Sequence, residues 1–299
     1  MKLPLYKAIA LIAFLWFATL QNGFASQDMR TWTLTNGEAF SAELIKYDEK
    51  TGVVILRIGN KTEKEFQFDG FSPLDRAWLQ EWLIIGEELE ATLKKLGGEM
   101  ERLEVKGKFH TEICIYHPTQ KEPKVPLPML ILFDPTAKET RYVLRHFEAA
   151  EKVKITLVAC GSFRNCDSEE SKQFEERFAE VLPAIKSHVP HDPAKVFMGG
   201  TSGGALRAFY YSVKFPGPWA GIYSNGGWLG GYHKLEYPAM KVAIVNGDKD
   251  HANSVVPEDS KVLNARGCDV AVMAFEGGHQ FAPISVQIKA FRWLLGLDD

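Results

Sequence analysis

The sequence carries no excess of charge of either sign, and it lacks a phosphate-binding loop. Its 35 lysines and arginines nearly balance 38 aspartates and glutamates, which leaves a formal net charge of −3 over 299 residues. Proteins that bind nucleic acid or anionic membranes ordinarily show a basic surplus, so we expect neither partner. No glycine-rich segment continues into Gly-Lys-Ser/Thr, the signature of a nucleotide-phosphate loop, and we expect no cofactor.

Long apolar runs are absent after residue 25. Before it, two lysines precede an apolar run at residues 8–20, and Gly23 and Ala25 form a small-x-small site. This order is typical of a signal peptide, residues 1–25, cleaved after Ala25. The alternative is a membrane anchor, which needs about 20 apolar residues. We therefore predict an exported protein, periplasmic or secreted, with no membrane span after signal removal.

Cysteine is scarce, with four in the chain. Export to an oxidising compartment would allow disulfides among them. Cys160 and Cys166 flank a short loop after a predicted strand and are the best candidates for a bridge. Cys114 and Cys268 lie in or beside apolar runs, where buried free thiols are equally common. Whether Cys160 and Cys166 are bridged stays open from sequence.

Residues 28–80 are predicted to form a small β-barrel domain that ends in a helix. Turn sequences such as Asn36-Gly37 separate four strand-like runs, which are 31–34, 39–47, 53–58 and 64–68. Short strands with hairpin-length gaps indicate an antiparallel barrel. Ser72-Pro73 supplies an N-cap and a first helical residue. Residues 81–101 are charged and are expected to form a linker helix.

The N-terminal segment resembles the Sla-one homology domain, an SH3-like barrel. The resemblance rests on Arg30-Thr31-Trp32-Thr33, Gly37, Ala42-Glu43-Leu44, Val54-x-Leu56, Phe66-x-Phe68 and Phe71-Ser72-x-x-Asp75. Phe71 departs from the family, which usually has leucine there. The resemblance implies that the barrel binds a peptide partner or acts as a spacer, without assigning either role to a residue.

From residue 102 to residue 299, strand-like and helical segments alternate. The strands are predicted at 103–105, 113–116, 129–133, 155–159, 196–198, 220–224, 242–245 and 270–275, and the helices at 138–152, 169–187, 204–214, 257–266 and 284–295. The later strands are apolar throughout, as in a parallel sheet covered on both faces. This pattern predicts a doubly wound α/β domain, whose site lies at the carboxyl ends of its strands.

The most informative motif is the Gly-x-Ser-x-Gly sequence at residues 200–204. An apolar run precedes it and a helical stretch follows, which is the form of a nucleophile elbow. The elbow presents a serine on a strained turn, and its glycines allow backbones to approach closely. Ser202 is therefore the predicted nucleophile.

Candidates for an acid and a base follow Ser202 in the chain. The strand at 242–245 ends in Asn246-Gly247-Asp248-Lys249-Asp250, so Asp248 and Asp250 compete for the acid. The spacing of residues alone leaves both open.

For the base, the strand at 270–275 ends in Glu276-Gly277-Gly278-His279. A serine needs a base to take its proton, and His279 fits because it follows a glycine-rich loop and precedes a helix. His251 adjoins the acid and would crowd it, whereas His233 follows the glycine-rich loop at 226–231 and could line the pocket. His279 is the predicted base.

The oxyanion of the reaction requires preorganised donors. One is predicted to be the N–H of Gly203, which follows the nucleophile. The other normally comes from the loop after the third strand, which here reads Asp134-Pro135-Thr136. Pro135 has no N–H, so Thr136 is the predicted second donor. Trp228 either lines the substrate pocket or packs in the core.

Residues 105–296 resemble α/β-hydrolase esterases of the polyhydroxybutyrate depolymerase and feruloyl esterase type. The resemblance is carried by the elbow sequence at 192–205, Asp-Pro-Ala-Lys-Val-Phe-Met-Gly-Gly-Thr-Ser-Gly-Gly-Ala. It implies a serine esterase that acts on a small-molecule or carbohydrate-linked ester. It also favours Asp250 as the acid, because the acid of such hydrolases usually sits three residues after the glycine that ends the preceding strand, and Asp248 is then a loop residue or a helper in the turn. One departure is Asp134-Pro135, where those enzymes usually carry His-Gly, and this departure bears on the oxyanion hole.

Other interpretations of the sequence are weighed beside the esterase. A serine peptidase of the same fold usually carries a larger accessory domain than the predicted barrel. A non-catalytic binding or scaffold protein would need no serine, acid and histidine in this order. His188, His191 and Asp192 could suggest a metal site, but they lie between a helix and a strand, and we interpret them as a surface turn. We predict no metal.

Overall fold

The computed structural model describes part of the chain, which divides into two compact units at Glu90–Ala91. The described residues are 29–58, 62–73, 75–76, 79, 97–120, 125–133, 143, 145–160, 163, 168–215 and 217–297. The predicted signal peptide, Thr136, Cys166 and the linker segment at 80–96 lie outside them, so those assignments stay predictions. Among the described residues, no helix has the length and apolar character needed to cross a membrane.

Four antiparallel strands form the sheet of the N-terminal unit. They are β1 (Met29–Thr33), β2 (Ala39–Asp48), β3 (Val53–Ile58) and β4 (Thr62–Gln67), hydrogen-bonded in that order. Val54 and Leu56 of β3 are buried while their neighbours are partly exposed, which gives the sheet one apolar face. Trp32 lies in this core and donates its indole N–H to the carbonyl of Ala42 at 2.9 Å.

Ser72 caps the helical turn that follows this sheet. Its hydroxyl oxygen accepts the backbone N–H of Asp75 at 3.2 Å, as an N-cap serine does. The buried Asp75 carboxylate in turn accepts the hydroxyl of Ser72 at 2.8 Å and the backbone N–H of Thr33 at 2.9 Å. The predicted strands and helix start are therefore present, whereas the SH3-like barrel and its peptide partner stay predictions.

Eight strands form the sheet of the C-terminal unit. They are β5 (Glu99–Lys106), β6 (His110–His117), β7 (Leu127–Phe133), β8 (Thr156–Cys160), β9 (His191–Thr201), β10 (Gly221–Asn225), β11 (Lys241–Gly247) and β12 (Asp269–Phe275). Their order is β12-β11-β10-β9-β7-β8-β6-β5. Pairing is parallel from β12 to β8 and antiparallel from β8 through β6 to β5. The predicted doubly wound, mostly parallel sheet is confirmed.

Helices cover both faces of this sheet. They are α1 (Phe147–Val153), α2 (Ser168–His188), α3 (Gly203–Lys214), α4 (Val256–Ala265) and α5 (Ile284–Leu295). On one face, alternate residues of β7 pack with Phe178 of α2 and Phe209 of α3. On the other, the Tyr223 ring of β10 meets Phe291 of α5, with ring centroids 5.0 Å apart. Burial on both faces explains the uninterrupted apolar runs of the sequence.

Strand β5 begins at Glu99, so the predicted linker helix was wrong in its last three residues, 99–101. Met100 is the one buried residue of β5 and lies between two glutamates, so the start of this edge strand has no apolar run by which the sequence would identify it. Gly97-Gly98 lies between the predicted linker helix and β5. Gly97 has a φ of +78°, and a Cβ at Gly98 would overlap the phenol of Tyr116.

The described cysteines of the C-terminal unit are all buried. Cys114 lies in β6 and Cys160 ends β8. Cys268 is a free thiol next to β12 whose Sγ contacts the Pro238 carbonyl at 3.4 Å, and burial raises the pKa of this thiol. The Cys160–Cys166 bridge stays a prediction because Cys166 lies outside the described residues.

Candidate active site

Ser202 lies at the junction of strand β9 and helix α3 in a strained backbone conformation. Its φ is 53° and its ψ is −122°, a combination outside the regions that L-residues favour. Such a conformation costs about 1–3 kcal/mol in a non-glycine residue. The backbone N–H of Ser202 donates to the carbonyl of Asn225, the last residue of β10, at 2.9 Å. The turn therefore holds the serine at the carboxyl edge of the sheet.

Both glycines of the Gly-x-Ser-x-Gly motif are required by close backbone packing. A Cβ at Gly200 would overlap the backbone of Gly204, and a Cβ at Gly204 would overlap the carbonyl oxygen of Phe133. Phe133 is the last residue of β7. Helix α3 can therefore begin directly against two strands only because these positions carry no side chain.

Gly203 is the first residue of α3. Its N–H is one of the four that a helix leaves without an intrahelical acceptor, and the helix dipole adds partial positive charge there. An anion beside Ser202 would meet this helix N-terminus. Of the two predicted oxyanion donors, Gly203 is therefore described at the site, while Thr136 lies outside the described residues.

Asp250 and His279 are joined by a hydrogen bond. The ring nitrogen Nδ1 of His279 lies 3.0 Å from Oδ2 and 3.1 Å from Oδ1 of Asp250. The Asp250 side chain has no exposed area, and its Oδ1 also accepts the backbone N–H of Ala252 at 2.9 Å. Because a carboxylate only accepts, Nδ1 of His279 carries the proton. Nε2 is then the nitrogen that is able to accept one.

Asp248, the competing candidate, contacts the backbone rather than a histidine. Its Oδ1 accepts the N–H of Gly277 at 2.9 Å, and its own N–H donates to the carbonyl of Phe275 at 2.7 Å. Asp248 therefore ties the end of β11 to the loop that carries His279. The two aspartates of this turn therefore have different partners: Asp248 bonds the backbone of the loop, and Asp250 bonds the imidazole of His279.

Ser202, Asp250 and His279 converge on two consecutive residues, Asn225 and Gly226. The Asn225 carbonyl accepts the N–H of Ser202. A Cβ at Gly226 would lie 3.2 Å from both Oδ2 of Asp250 and Cε1 of His279. The end of β10 is therefore the point that the serine turn and the histidine–aspartate pair share.

Asn225 is the functional-site residue that the sequence reasoning missed. Its buried carboxamide donates to the carbonyls of Gln280 at 3.0 Å and Val245 at 3.2 Å, and it accepts the N–H of Ala282 at 3.0 Å. These bonds hold the segment directly after His279 onto the sheet. A polar amide at the end of a fully buried strand, at the edge where the site lies, is the signal that could have identified it.

His251 lies beside the His279 ring, and Trp228 lies beside His251. The His251 and His279 ring centroids are 4.5 Å apart, and the Trp228 ring meets His251 edge-on at 5.4 Å. Trp228 is half-buried, so it borders the site. His233 instead bonds the buried Asp259 at 2.7 Å, and the same carboxylate accepts the N–H of Leu229. His233 therefore secures the glycine-rich loop.

Metal-ligating atoms come together at one place among the described residues. Asp250, His251 and His279 each offer one, and the three lie within 4.8 Å of one another. The three candidate ligands in the segment at 188–192 each bond a different group instead. His188 bonds Glu101, His191 bonds the carbonyl of Val189, and Asp192 accepts the N–H of Ala194. His188 ends α2, and His191 and Asp192 begin β9, so the turn itself comprises only residues 189–190.

No protein-family model matches the sequence, and no curated protein matches it. Solved structures do match. An S-formylglutathione hydrolase from Staphylococcus aureus has a TM-score of 0.55 at 13% identity, over 66% of this chain and 96% of that one. The esterase LipW from Mycobacterium marinum has a TM-score of 0.57 at 12% identity, over 72% and 86%. The C-terminal unit has the α/β-hydrolase fold.

A feruloyl esterase module from Clostridium thermocellum, complexed with sinapinate, is a further match. Its TM-score is 0.50 at 13% identity, over 66% of this chain and 86% of that one. At such identities the similarity establishes the fold alone. Within the α/β-hydrolase fold the usual chain order is serine, acid, histidine, and Ser202, Asp250 and His279 follow one another in that order.

Proposed function

We propose that this chain is an exported serine hydrolase that cleaves carboxylic esters, with Ser202 as nucleophile, His279 as base and Asp250 as its orienting acid. The observation that carries the proposal is the strained backbone of Ser202, at φ 53° and ψ −122°. A strained non-glycine residue persists only where its surroundings enforce it, and such residues cluster at active sites. The Asp250–His279 pair at the same edge of the sheet supplies the matching base.

Acylation begins with transfer of the Ser202 hydroxyl proton to Nε2 of His279. The serine Oγ attacks the acyl carbon, and the carbonyl π electrons move to the oxygen, which becomes the oxyanion. The imidazolium that forms is stabilised by Asp250, which lies against Nδ1 and is shielded from water. This arrangement keeps the ring in the tautomer that presents a lone pair at Nε2.

The oxyanion accepts hydrogen bonds from the N–H of Gly203 and, as proposed from sequence, from that of Thr136. The start of helix α3 adds its dipole to the first donor. One such donor is worth about 10²–10³ in kcat. When the tetrahedral intermediate collapses, the C–O bond to the alcohol breaks and His279 returns its proton to the leaving oxygen. Water, deprotonated by His279, then releases the acid from Ser202.

The proposed substrate is a small-molecule or carbohydrate-linked ester. Trp228 borders the site through His251, and an aromatic face there favours an aromatic or sugar ring. The similarity to a feruloyl esterase module bound to sinapinate supports aromatic acyl groups as the first to test. The predicted signal peptide supports a periplasmic or secreted location, and the N-terminal unit is proposed to bind a peptide.

The test is hydrolysis of an ester panel by the mature protein, with acetyl, feruloyl and sinapoyl esters of p-nitrophenol and of sugars. We expect turnover that Ser202→Ala abolishes, and labelling of Ser202 by a fluorophosphonate. A matched set of peptides and amides separates an esterase from a peptidase. Equal rates for the wild type and Ser202→Ala, with no labelling of the folded wild type, would show a non-catalytic protein instead.

A further inference from the structure

The Asp250 carboxylate contacts two imidazole rings in this site, those of His279 and His251. Asp250 lies 3.1 Å from Nδ1 of His279 through its Oδ1, and the same oxygen lies 3.4 Å from Nδ1 of His251. His251 has no part in the proposed ester hydrolysis. Its side chain is 64% exposed, so burial does not explain its place beside the pair.

The separations of these atoms match those of a metal site. A tetrahedral Zn²⁺ with bonds of about 2.0–2.1 Å holds its ligand atoms about 3.3 Å apart. The two separations from Asp250 Oδ1 bracket this value. The remaining separation, between the ligating atoms of the two histidines, is at most 4.8 Å, and a rotation of the exposed His251 ring would shorten it.

The donor set indicates which cation fits. Two imidazole nitrogens and one carboxylate oxygen suit Zn²⁺ and other divalent ions of similar preference, whereas Mg²⁺ and Ca²⁺ prefer oxygen ligands. The Asp250 carboxylate already accepts the N–H of Ala252, which fixes its orientation as an outer hydrogen bond does for a metal-ligating carboxylate. Access is available from the His251 side, where the ring faces solvent.

We propose that Asp250, His251 and His279 bind one Zn²⁺ or similar divalent transition-metal ion, and that this binding inhibits the hydrolase. The inhibition rests on the proposed function, whereas the binding does not. Zn²⁺ takes the lone pair of Nδ1 of His279, and the single ring proton moves from Nδ1 to Nε2. A ring protonated at Nε2 has no lone pair for the proton of Ser202, so the nucleophile is no longer activated.

Isothermal titration of the full chain with zinc chloride tests the binding. We expect one Zn²⁺ per chain for the wild type and for Ser202→Ala. His251→Gln and His251→Ala should bind at least tenfold more weakly. His233→Gln is the matched control, since it removes a half-buried histidine that also pairs with an aspartate. Circular dichroism of each variant checks that it is folded.

Inhibition is measured as the Zn²⁺ concentration that halves ester hydrolysis, relative to the metal-free rate of the same variant. We expect EDTA to restore the wild-type rate, Mg²⁺ to leave it unchanged, and His251→Gln to raise the halving concentration at least tenfold. Wild-type binding that both folded His251 variants retain, or no binding at all, would overturn the metal site. Zn²⁺ binding without any ester hydrolysis would overturn the proposed function and leave the metal site standing.

Discussion

Asn225 accepts the backbone N–H of Ala282 at 3.0 Å, three residues after His279 in the chain. The same carboxamide donates to the carbonyl of Gln280, and the backbone carbonyl of Asn225 accepts the N–H of Ser202. One residue of β10 therefore fixes the serine turn on one side and the histidine loop on the other. The distance between the proposed nucleophile and its base depends on this residue.

Replacement of Asn225 by alanine should lower kcat by about 100-fold, because a base displaced by about 1 Å loses that much. KM should change little, since Asn225 has no exposed surface with which to contact a substrate. Kinetics on an aryl ester measure both. The control is Asn246→Ala, because Asn246 is also buried near a strand end but its amide has no hydrogen-bond partner among the described residues. An equal loss in both variants would contradict the positioning role.

Asp250→Asn and Asp248→Asn should separate the two aspartates of the turn. An asparagine at 250 can donate to Nδ1 of His279, which places the ring proton on Nε2, and the loss in kcat is expected to be about 10⁴-fold. At 248 the asparagine oxygen still accepts the N–H of Gly277, so the change should stay below about tenfold. Steady-state rates decide, and comparable losses would refute the assignment of Asp250.

Gly204→Ala should destabilise the C-terminal unit by about 3 kcal/mol, the upper range for overpacking. The new Cβ would overlap the carbonyl of Phe133, which is backbone and cannot rotate away. Gly278→Ala is the matched control, since a Cβ there would meet no atom of the described part of the chain within 4 Å. Urea unfolding followed by circular dichroism gives both free energies. A Gly204→Ala protein as stable as the control would contradict the close approach.

Glu151 should make stability depend on acid pH. Its burial raises the pKa, but hydrogen bonds from Lys154, Tyr116 and the Thr119 N–H outweigh burial and lower the pKa below its usual range. A lowered pKa gives stability that is present above the unfolded-state value, about 4.3. This stability is lost as pH falls through the folded-state value.

The corresponding measurement compares the wild type with Glu151→Gln from pH 7 to pH 3. At pH 7 the variant should be less stable by about 1–3 kcal/mol, the usual effect of losing charged hydrogen bonds. This difference should shrink as pH falls, because the wild-type carboxylate becomes protonated. A difference that is constant across the range would show that the ionised carboxylate is not what stabilises the fold.

The inner strands β7, β8, β10 and β11 of the C-terminal sheet were predictable because they are buried almost throughout and are therefore largely apolar. Strand β5 could not be delimited this way, since it lies at the sheet edge and Met100 is its only buried residue. Likewise, Ser202 and His279 follow motifs that are local in sequence. The contacts of Asn225 join residues more than 50 positions apart, and no local pattern encodes them.

The close approach of Gly204 to the Phe133 carbonyl connects the turn that carries Ser202 to the hydrophobic core, because Phe133 is a core residue. The Phe133 ring packs on Phe163, Phe178 and Tyr211, with centroids 5.8, 5.2 and 5.4 Å away. The packing of the Phe133 ring therefore fixes the carbonyl oxygen of the same residue, which is the atom that Gly204 approaches. Weaker packing of this aromatic cluster would shift the Phe133 carbonyl and lower the reaction rate while the domain was still folded. Activity is therefore expected to respond to such a change before unfolding is measurable.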